Sequence, residues 1–551
     1  MTIYQSPLQP YGSYEHLSIP QFMTKFNPEE TPSDKIVHTD AFNSQPLTYC
    51  GLRQSAARIA WGMKEKLGLQ QGDIVLALVP NSNDFVQLAH GTWWAGCVFA
   101  PMNIAATEKD ILHAVGLVKP SCIAVVQNRL SVLQAAIQSL PVKPKVFTVL
   151  GKDGQLPHFP EDIAGRSDDQ SLPPLDLGGK SGKDTASSIC FSSGTTGNMK
   201  GVMLSHHNLI ANVLQYHQAM ATRLSRNDRE VWFTPYSHLY GMFAVILHGA
   251  WVGSYFHALP GFDLETFCAK VSELKANVMH IVPPVALALT ASPIAQKYDM
   301  SEVRRVVVAA APIKKPLQER LKARFPLAVV WQGYGMTECS PCVSHQFDES
   351  EETIGSIGKL FPGTDLRLVD PLTGKDVALG EEGELLVRGP QVMMQVPPNP
   401  HAATEASFVD GWLKTGDIGK MDKDQNLWIT DRLKEMIKYK GFQIAPSEME
   451  DLLLNHPDVI DAAVCAVYDD AQATEVPLAY VSLQPAKADL PPAQIQAVLD
   501  GIRAWTDGQV TGYKKLRGGV FHLQTLPKSP TGKILRRMLP AKLKETRVQK
   551  L

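Results

Sequence analysis

The chain has 551 residues, of which 44% are hydrophobic and 20% charged, and its formal net charge is −2. This length exceeds what one hydrophobic core supports, so we expect at least two domains. The near-neutral charge lacks the basic excess typical of nucleic-acid binders, so no nucleic-acid partner is predicted. Residues 1–20 show no basic segment followed by an apolar core, and no secretory signal is predicted.

Two apolar stretches, 91–106 and 240–259, are candidate membrane spans. The first is too short, and the second contains two histidines and three glycines, so both are predicted to be buried in a soluble protein. Eight scattered cysteines are typical of free thiols in a reducing compartment. Cys339, Cys342 and His345 have metal-like spacing, but a structural zinc normally needs a second pair of ligands, so unligated thiols are expected.

Helical and strand-like segments alternate in the first part of the chain, which is typical of an α/β protein with a largely parallel sheet. The predicted elements are a helix at 52–67, a strand at 73–79, a helix at 84–95 and a strand at 122–126. Residues 153–184 are rich in Asp, Gly, Pro and Ser and are predicted to form a surface connection.

The pattern changes twice further along. A helix at 207–221 and strands at 306–308 and 327–330 continue the α/β alternation. From Gly355 onward, short strands at 365–369, 383–388 and 427–430 predict a small antiparallel, barrel-like subdomain. After the charged residues 431–434, five short elements predict a compact α+β domain at 447–454, 462–467, 479–483, 494–504 and 519–522. We therefore predict a large domain over 1–430, a hinge at 431–434 and a small domain over 435–551.

The most informative stretch is 192–201, which follows a strand-like run and contains three glycines, four hydroxyl residues and one lysine. Glycines let backbone N–H groups converge on a ligand, and hydroxyls and lysine add donors and charge, so a polyphosphate is a suitable ligand. It is not a Walker A loop, because Met199 precedes Lys200 and Gly201 follows it. A flexible surface turn is the alternative that this segment alone leaves open.

Four further motifs follow in order: Gly-Tyr-Gly-Met-Thr-Glu within 332–338, Thr-Gly-Asp within 412–417, a charged segment at 431–445 and Pro-Thr-Gly-Lys within 527–533. Together with the loop, they resemble the adenylate-forming superfamily of acyl- and aryl-CoA ligases, carrier-loading adenylation domains and beetle luciferases. The resemblance extends from about Leu47 to Leu539 and is strongest to the 4-coumarate:CoA ligase branch.

The resemblance implies an enzyme that uses ATP, Mg²⁺ and CoA, with the roles distributed over both domains. Lys533 would bridge the substrate carboxylate and the α-phosphate, Glu338 would bind magnesium, and Asp417 would accept the ribose hydroxyls. The catalytic residues implied are Lys533, Lys200, Thr337, Glu338 and His238. The nucleotide-binding residues implied are Ser192, Ser193, Gly194, Thr195, Thr196, Gly197, Lys200, Gln332, Gly333, Tyr334, Thr337, Asp417, Arg432, Lys434, Lys438, Gln443 and Lys533.

Two further sets of residues follow from the resemblance. The acid pocket implied consists of His238, Tyr240, Ala244, Ala309, Ala310, Ala311, Gly333 and Met336. The CoA-binding residues implied are Lys440, Gly441 and Phe442, which a rotation about Lys434 would bring to the pantetheine. Two departures from coumarate ligases concern substrates: Ala309 replaces a pocket glycine, and Gly261 replaces a lysine that helps to hold CoA.

Each of these residues also has an ordinary structural interpretation. Lys533 lies in a basic tail with Lys528 and Arg536, a Thr-Gly-Asp sequence is commonly a turn, and His238 could be a core histidine. The order of the five motifs outweighs these alternatives.

We therefore expect a ligase that adenylates an aromatic or medium-chain aliphatic acid and forms its CoA thioester, in secondary metabolism or fatty-acid activation. The alternatives are loading of the acyl group onto a carrier protein or another acceptor, and a ligand-binding protein on an inactive scaffold. A downstream synthase or acyltransferase is the expected partner. Gln549-Lys550-Leu551 departs from the peroxisomal Ser-Lys-Leu signal, so a cytoplasmic location is expected, with peroxisomal import as the alternative.

Overall fold

The computed structural model of the chain describes most of the sequence, and of Ser193, Met220 and Gln443 it describes the backbone only. The described residues are 2–10, 12–193, 199–220, 225–309, 313, 315–346, 354–394, 405, 407–433, 435–439, 442–469, 472, 474–529 and 532–541.

The first sheet has seven strands, most of them parallel, as the alternating pattern predicts. Its order is Met199–Ser205, Ala186–Ser193, Val98–Pro101, Ile74–Leu78, Cys122–Val126, Lys145–Val149 and His158–Phe159. Every residue of Cys122–Val126 is buried, as expected for a strand covered on both faces. The edge strand Met199–Ser205 runs antiparallel to its neighbour. The last strand lies within the predicted surface connection, which therefore contributes to the sheet.

The second sheet has nine strands and carries the remaining α/β units. Its order is Lys359–Leu360, Cys342–His345, Val329–Gly335, Arg305–Val308, Val278–Ile281, Arg229–Trp232, Tyr255–Ala258, Ile36–Asp40 and Leu47–Thr48. Its central strands are parallel and the strands at the two ends pair antiparallel. One hydrophobic core joins the two sheets, with Trp93 and Phe99 on one side and Trp331 and Phe361 on the other.

The helices cover the faces of these sheets and form the connections between them. In the large domain they are Ile19–Lys25, Tyr49–Glu65, Asn83–Trp94, Glu108–Val118, Leu130–Ile137, His206–Met220, Leu239–Gly241, Ala250–Val252, Leu264–Glu273, Pro283–Ala291, Pro293–Gln296 and Lys315–Arg324. Between Gly241 and Ala250 the chain forms a π-helix, Met242–Gly249. The short 3-10 helices are Gln127–Arg129, Thr337–Cys339, Gly512–Lys514 and Arg536–Met538.

An antiparallel sheet of six strands closes the large domain. It confirms the antiparallel subdomain predicted from the short strands after Gly355. Its strands are Tyr4–Gln5, Asp365–Val369, Gly383–Arg388, Trp412–Met421, Phe408–Val409 and Leu427–Arg432. The last strand extends two residues beyond its predicted end, because Arg432 pairs with Asp417 on the neighbouring strand. Two residues of the predicted hinge, Asp431 and Arg432, therefore lie in this sheet.

A small C-terminal α+β domain has its own hydrophobic core around Ile437, Met449 and Ile502. Its strands are Ile437–Tyr439, Phe442–Ile444, Val459–Asp469, Thr474–Leu483 and Val520–His522, and its helices are Pro446–Leu454, Pro485–Ala488 and Pro492–Asp507. The order of strands and helices agrees with the α+β pattern that the sequence predicts.

The apolar stretches at 91–106 and 240–259 are divided by the fold. The first becomes the end of Asn83–Trp94 and the strand Val98–Pro101, and the second becomes a helical segment followed by Tyr255–Ala258. Within the described part of the chain, none of the helices has the length and apolar character needed to cross a membrane.

Candidate active site

The glycine-rich segment connects two hydrogen-bonded strands at the edge of the seven-stranded sheet. Lys200 lies opposite Ser192, and Met199 opposite Ser193. The hairpin therefore places the lysine and a serine side by side at the base of the connection. Gly194, Thr195, Thr196 and Gly197 lie outside the described residues.

Glu338 faces this hairpin from the 3-10 helix Thr337–Cys339. The Ser192 hydroxyl donates to Oε1 of Glu338 at 3.5 Å, and the backbone N–H of Met393 donates to the Glu338 carbonyl oxygen at 2.8 Å. Burial raises the pKa of Glu338, while Lys200, Ser192 and Arg432 act in the opposite direction. A partly buried carboxylate beside a lysine and a serine suits a hard cation that arrives with phosphate oxygens.

Both carboxylate oxygens of Asp417 have a partner in the protein. The Tyr334 hydroxyl donates to Oδ2 at 2.6 Å, and Nε of Arg432 lies 3.0 Å from Oδ1. The Asp417 side chain is only 4% exposed, whereas that of Arg432 is 42% exposed. Tyr334 is the penultimate residue of the strand Val329–Gly335, so two sheets contribute to one polar cluster.

Lys533 belongs to the small domain but approaches this cluster. A Cβ atom built on Gly532 would lie 2.4 Å from Cδ of Pro284, so the lysine loop packs directly against the large domain. Burial lowers the pKa of Lys533, Arg432 lowers it further, and Glu435 and Asp417 partly offset both effects. The lysine loop therefore contacts the large domain, and Asp417 and Arg432 act on Lys533 electrostatically.

The connection between the domains is tied down on both sides of Lys434, which itself lies outside the described residues. Leu433 N–H donates to the Gly416 carbonyl at 2.8 Å, and Glu435 N–H donates to the Arg432 carbonyl at 2.9 Å. The small domain adds a second contact, because the backbone N–H and hydroxyl of Ser447 donate to Oδ2 of Asp431 at 3.1 and 2.9 Å.

Arg536 fixes the lysine loop within the small domain. Its guanidinium forms an ion pair with Glu435, contacts Glu450 at 2.7 Å and donates to the Val464 carbonyl at 2.9 Å. These carboxylates raise the pKa of Arg536 despite its burial. Arg536 therefore links the segment of Lys533 to the residue that follows Lys434.

The predicted acid pocket lies beside the π-helix. His238 caps the helix Leu239–Gly241 by accepting a hydrogen bond from Tyr240 N–H at 3.3 Å. His238 is open to solvent on one side, yet desolvation by the surrounding protein lowers its pKa. The centroid of the Tyr240 ring lies 5.9 Å from that of Trp232, and burial raises the pKa of Tyr240. Ala244 is buried one turn further along.

The opposite wall of the pocket depends on Gln332. This residue is buried, and its side-chain oxygen accepts the backbone N–H of Ile313 at 2.8 Å. Gln332 therefore holds Ile313 in place. Gly333 pairs with His345, and a Cβ atom on Gly333 would lie 3.1 Å from the imidazole. Met336 N–H donates to the Pro341 carbonyl, while Ala310 and Ala311 lie outside the described residues.

The residues predicted to help adenylation and to bind CoA lie on one hairpin of the small domain. Lys438 is exposed and its backbone N–H donates to Glu475 at 2.7 Å. Phe442 is 53% exposed and stacks on Tyr513 with ring centroids 4.5 Å apart. The side chain of Gln443 and the residues Lys440 and Gly441 lie outside the described part.

Sequence reasoning did not identify several residues that shape the site. Ser447, Glu435 and Arg536 hold the connection and the lysine loop, and Glu230 pairs with His280 beside Tyr240. The last pair left a signal in the sequence, because a histidine interrupts the otherwise apolar strand Val278–Ile281 and Glu230 precedes the apolar pair Val231 and Trp232. Glu230 and His280 lie on strands that are far apart in the sequence, so the sequence does not indicate that they pair.

Comparison with known proteins identifies the class of enzyme. A family model described as AMP-binding enzyme matches residues 25–395, and one described as AMP-binding enzyme C-terminal domain matches residues 448–533. The chain therefore belongs to the AMP-binding enzyme family. Within this family it groups with the AMP-forming acid–thiol ligases, as the full-length relatives below indicate.

The similar proteins include several that are named coumarate ligases. The chain is 35% identical to 4-coumarate:CoA ligase 1 of Petunia hybrida over 519 residues, covering 91% of this chain and 90% of the relative. It is 33% identical to a probable 4-coumarate–CoA ligase 2 of Dictyostelium discoideum, with 92% of each chain covered. The similarity thus extends over nearly the whole length of both relatives.

Solved structures of similar fold include ATP-bound MatB from Rhodopseudomonas palustris, with a TM-score of 0.82 at 25% identity, covering 96% of this chain and 100% of that chain. The anthranilate CoA ligase AuaEII, in complex with anthranoyl-AMP, has a TM-score of 0.83 at 23% identity, covering 97% of this chain and 98% of that chain. These matches confirm the two-domain α/β architecture predicted from the sequence.

Proposed function

We propose that this chain adenylates a carboxylic acid with ATP, releasing pyrophosphate, and then transfers the acyl group to CoA with release of AMP. The observation that carries the proposal is the packing of the Lys533 loop on Pro284 of the large domain, with the charges of Asp417 and Arg432 acting on the lysine. The names of the relatives, which are coumarate and anthranilate CoA ligases, support acid and CoA as substrates.

Adenylation requires a carboxylate to approach the negatively charged α-phosphate. At a separation of about 4 Å, two unit negative charges repel by roughly 4 kcal/mol at an effective dielectric of 20. A cation positioned between them lowers this barrier at the transition state. Lys533 is the candidate for that role, and Lys200 at the base of the glycine-rich hairpin would bind the departing pyrophosphate.

Asp417 would hold the ribose of ATP. Its buried carboxylate already accepts from Tyr334 and pairs with Arg432, so its position is fixed by two sheets. A fixed carboxylate suits the two hydroxyls of a ribose, and Thr337 lies one residue before Glu338 at the phosphate end. The site would thus orient the α-phosphate between the glycine-rich hairpin and Lys533.

Glu338 would hold magnesium together with the phosphate oxygens of ATP. The fit rests on its carboxylate, which lies 3.5 Å from the Ser192 hydroxyl and within the field of Lys200. When bound, the ion neutralises phosphate charge. Among the residues that the structure describes, there is no cluster of three His, Cys, Asp or Glu side chains for a metal held by protein alone.

Transfer to CoA needs Lys533 to leave the site, because the thiol must attack the same carbonyl carbon. We propose that the small domain, residues 435–551, rotates about a hinge at 431–434 relative to residues 1–430. The contacts of Ser447 with Asp431 would favour the arrangement with Lys533 in place. After rotation, Lys440, Gly441 and Phe442 would contact the pantetheine.

The test is pyrophosphate release with ATP and magnesium across aromatic and aliphatic acids, with and without CoA, with products identified by mass. Acid-dependent release and the matching CoA thioester are expected. If an adenylate formed without a thioester, the acceptor would be a carrier protein or another molecule instead of CoA. This alternative arises because Gly261 stands where coumarate ligases have a lysine that helps to hold CoA. No release with any acid would contradict the proposal.

A further inference from the structure

Residues 389–394 connect two parts of the candidate site through backbone hydrogen bonds. The N–H of Met393 donates to the Glu338 carbonyl oxygen at 2.8 Å, and the next N–H along the chain donates to the carbonyl oxygen of Met203 at 3.2 Å. Met203 lies on the same strand as Lys200. The position of this segment therefore affects both the candidate magnesium ligand and the strand that carries the lysine.

Asn208 holds this segment from the helix His206–Met220. Its amide nitrogen donates to the carbonyl oxygens of Pro390 and Val392, both at 2.8 Å. Its amide oxygen accepts the backbone N–H of Ser205 at 3.0 Å, so both amide hydrogens and the oxygen have partners. Asn208 is only 6% exposed, and these three bonds give its side chain one fixed orientation.

A second residue of the same helix contacts the segment between these two carbonyl groups. Nε2 of Gln215 donates to Oε1 of Gln391 at 3.0 Å. Gln391 is fully buried, and its own amide nitrogen donates to the hydroxyl of Thr364 at 2.7 Å. Two side chains of one helix thus contribute to the position of the segment.

Packing does not enclose the segment on every side. It borders a cavity of about 890 Å3, whose lining includes Pro390, Val392 and Met393 together with Asn208. Backbone that borders a cavity gains fewer packing contacts than backbone in a close-packed interior. The hydrogen bonds of Asn208 therefore matter more for the position of this segment than they would in a filled core.

We propose that Asn208 is a positioning residue for Glu338, the candidate magnesium ligand, during adenylation. This inference rests on the proposed function and deepens it. Asn208 fixes the carbonyl groups on both sides of Gln391, and the N–H of Met393 then fixes the backbone of Glu338. A residue that orients a metal ligand without touching the ion typically contributes about tenfold or more to metal affinity or activity.

The first test measures the segment itself, without substrates. Hydrogen–deuterium exchange is followed by mass on peptides that cover residues 389–394. Exchange there should be at least about fivefold faster in Asn208→Ala than in the wild type, because the segment loses both donors of the amide and opens more readily.

Asn277→Ala is the matched control for this measurement. Asn277 also joins separate parts of the chain, since it donates to Asp228 at 2.9 Å and accepts the N–H of Arg229 at 2.8 Å. It precedes one parallel strand of the nine-stranded sheet, whereas Glu338 follows another, so the two lie at opposite ends of that sheet. Deuterium exchange at 389–394 in this variant should equal that of the wild type.

The second test measures the magnesium concentration that gives half the maximal rate of acid-dependent pyrophosphate exchange into ATP. Asn208→Ala should raise this concentration about 5- to 20-fold, whereas KM for the acid should change less than about twofold. A purely structural role would lower the rate or the stability and leave the magnesium dependence unchanged. In a Glu338→Gln background, Asn208→Ala should change the concentration less than about twofold, because residues that act through one another are not additive.

Asn208→Ser is the second variant should Asn208→Ala fail to fold. Its hydroxyl supplies at most one of the two donors, so the magnesium concentration for half-maximal rate should rise at least about threefold.

The outcomes separate this inference from the function on which it rests. Unchanged deuterium exchange at 389–394, an unchanged magnesium requirement in a folded Asn208 variant, an equal shift in Asn277→Ala, or additivity with Glu338→Gln would each overturn the role of Asn208. In each of those cases, acid-dependent pyrophosphate exchange by the wild type would still support adenylation. No such exchange in the wild type with any acid would overturn both.

Discussion

The hydroxyl of Tyr334 donates a hydrogen bond of 2.6 Å to Oδ2 of Asp417, across two different sheets. This contact joins the end of the strand Val329–Gly335 to the antiparallel sheet that closes the large domain. Arg432 occupies the other carboxylate oxygen at 3.0 Å. Asp417 is therefore oriented by its neighbours, which is the condition for a carboxylate that binds a ribose.

Asp417→Asn should weaken ATP binding. The amide loses the charge that pairs with Arg432 and one of the acceptors available to ribose hydroxyls, so KM for ATP is expected to rise about 10- to 100-fold. Steady-state kinetics with ATP varied would measure this. Asp376→Asn is the control, because Asp376 forms a comparable ion pair with Arg367 in the same sheet. An equal rise in both variants would contradict the assignment.

Lys533→Ala should abolish most adenylation while sparing nucleotide binding. Loss of one positioned charge at a transition state is expected to cost about 100- to 1,000-fold in rate. Thioester formation from supplied acyl-adenylate should change less than about tenfold, because Lys533 leaves the site for that step. Lys528→Ala, which breaks an ion pair with Asp461, is the control and should retain adenylation. Equal losses in both half-reactions would argue against the role of Lys533.

Adenylation should decline on the alkaline side at a lower pH than an ordinary lysine would give. Burial lowers the pKa of Lys533, so its positive charge is present at low pH and is lost as pH rises through this lowered value. A pH profile of the pre-steady-state adenylation rate would show this limb. Lys533→Arg should move the limb upward, because a guanidinium stays charged. If the alkaline limb of the Lys533→Arg profile stayed where it is in the wild type, the titration would belong to another group.

Glu338→Gln should weaken the magnesium dependence of adenylation. Burial raises the pKa of Glu338, so the wild-type enzyme loses this carboxylate charge as pH falls through a value above that of an exposed glutamate. The magnesium concentration for half-maximal rate is expected to rise about tenfold or more in the variant, and the acid limb should disappear. An unchanged magnesium requirement would place the ion elsewhere.

Gln332→Ala should destabilise the fold around Ile313. The backbone N–H of Ile313 would lose its acceptor, at an expected cost of about 1–3 kcal/mol in the free energy of unfolding. Urea denaturation would measure this cost. Gln496→Ala, which removes an exposed hydrogen bond to Asp500, should change it by less than about 0.5 kcal/mol. Equal effects would exclude a special role for Gln332.

Local patterns predicted much of the fold. The strands at 122–126, 365–369 and 383–388 were predicted with the bounds that the structure has, because each is a short apolar or alternating run between turn residues. The pairing of Tyr4–Gln5 with Asp365–Val369 had no such signal. Contacts across more than 300 residues depend on the packing of the whole domain, which a single sequence does not display.

The candidate site shows the same division. The motifs predict candidate site residues, and the structure brings Ser192 into contact with Glu338 and Tyr334 into contact with Asp417. The residues that hold these side chains in place were not predictable from the sequence. Ser447 acts through a contact that exists only once two domains have packed, and Arg536 acts through contacts within the folded small domain. Glu230 reaches His280 only in a folded sheet.

The most direct measurement is acid-dependent exchange of pyrophosphate into ATP, comparing the wild-type enzyme with Lys533→Ala in the absence of CoA. If Lys533 promotes adenylation, the exchange should require both the acid and magnesium and should fall about 100-fold or more in the variant. Exchange that persists in a folded Lys533→Ala enzyme, or that does not depend on any acid, would contradict the account.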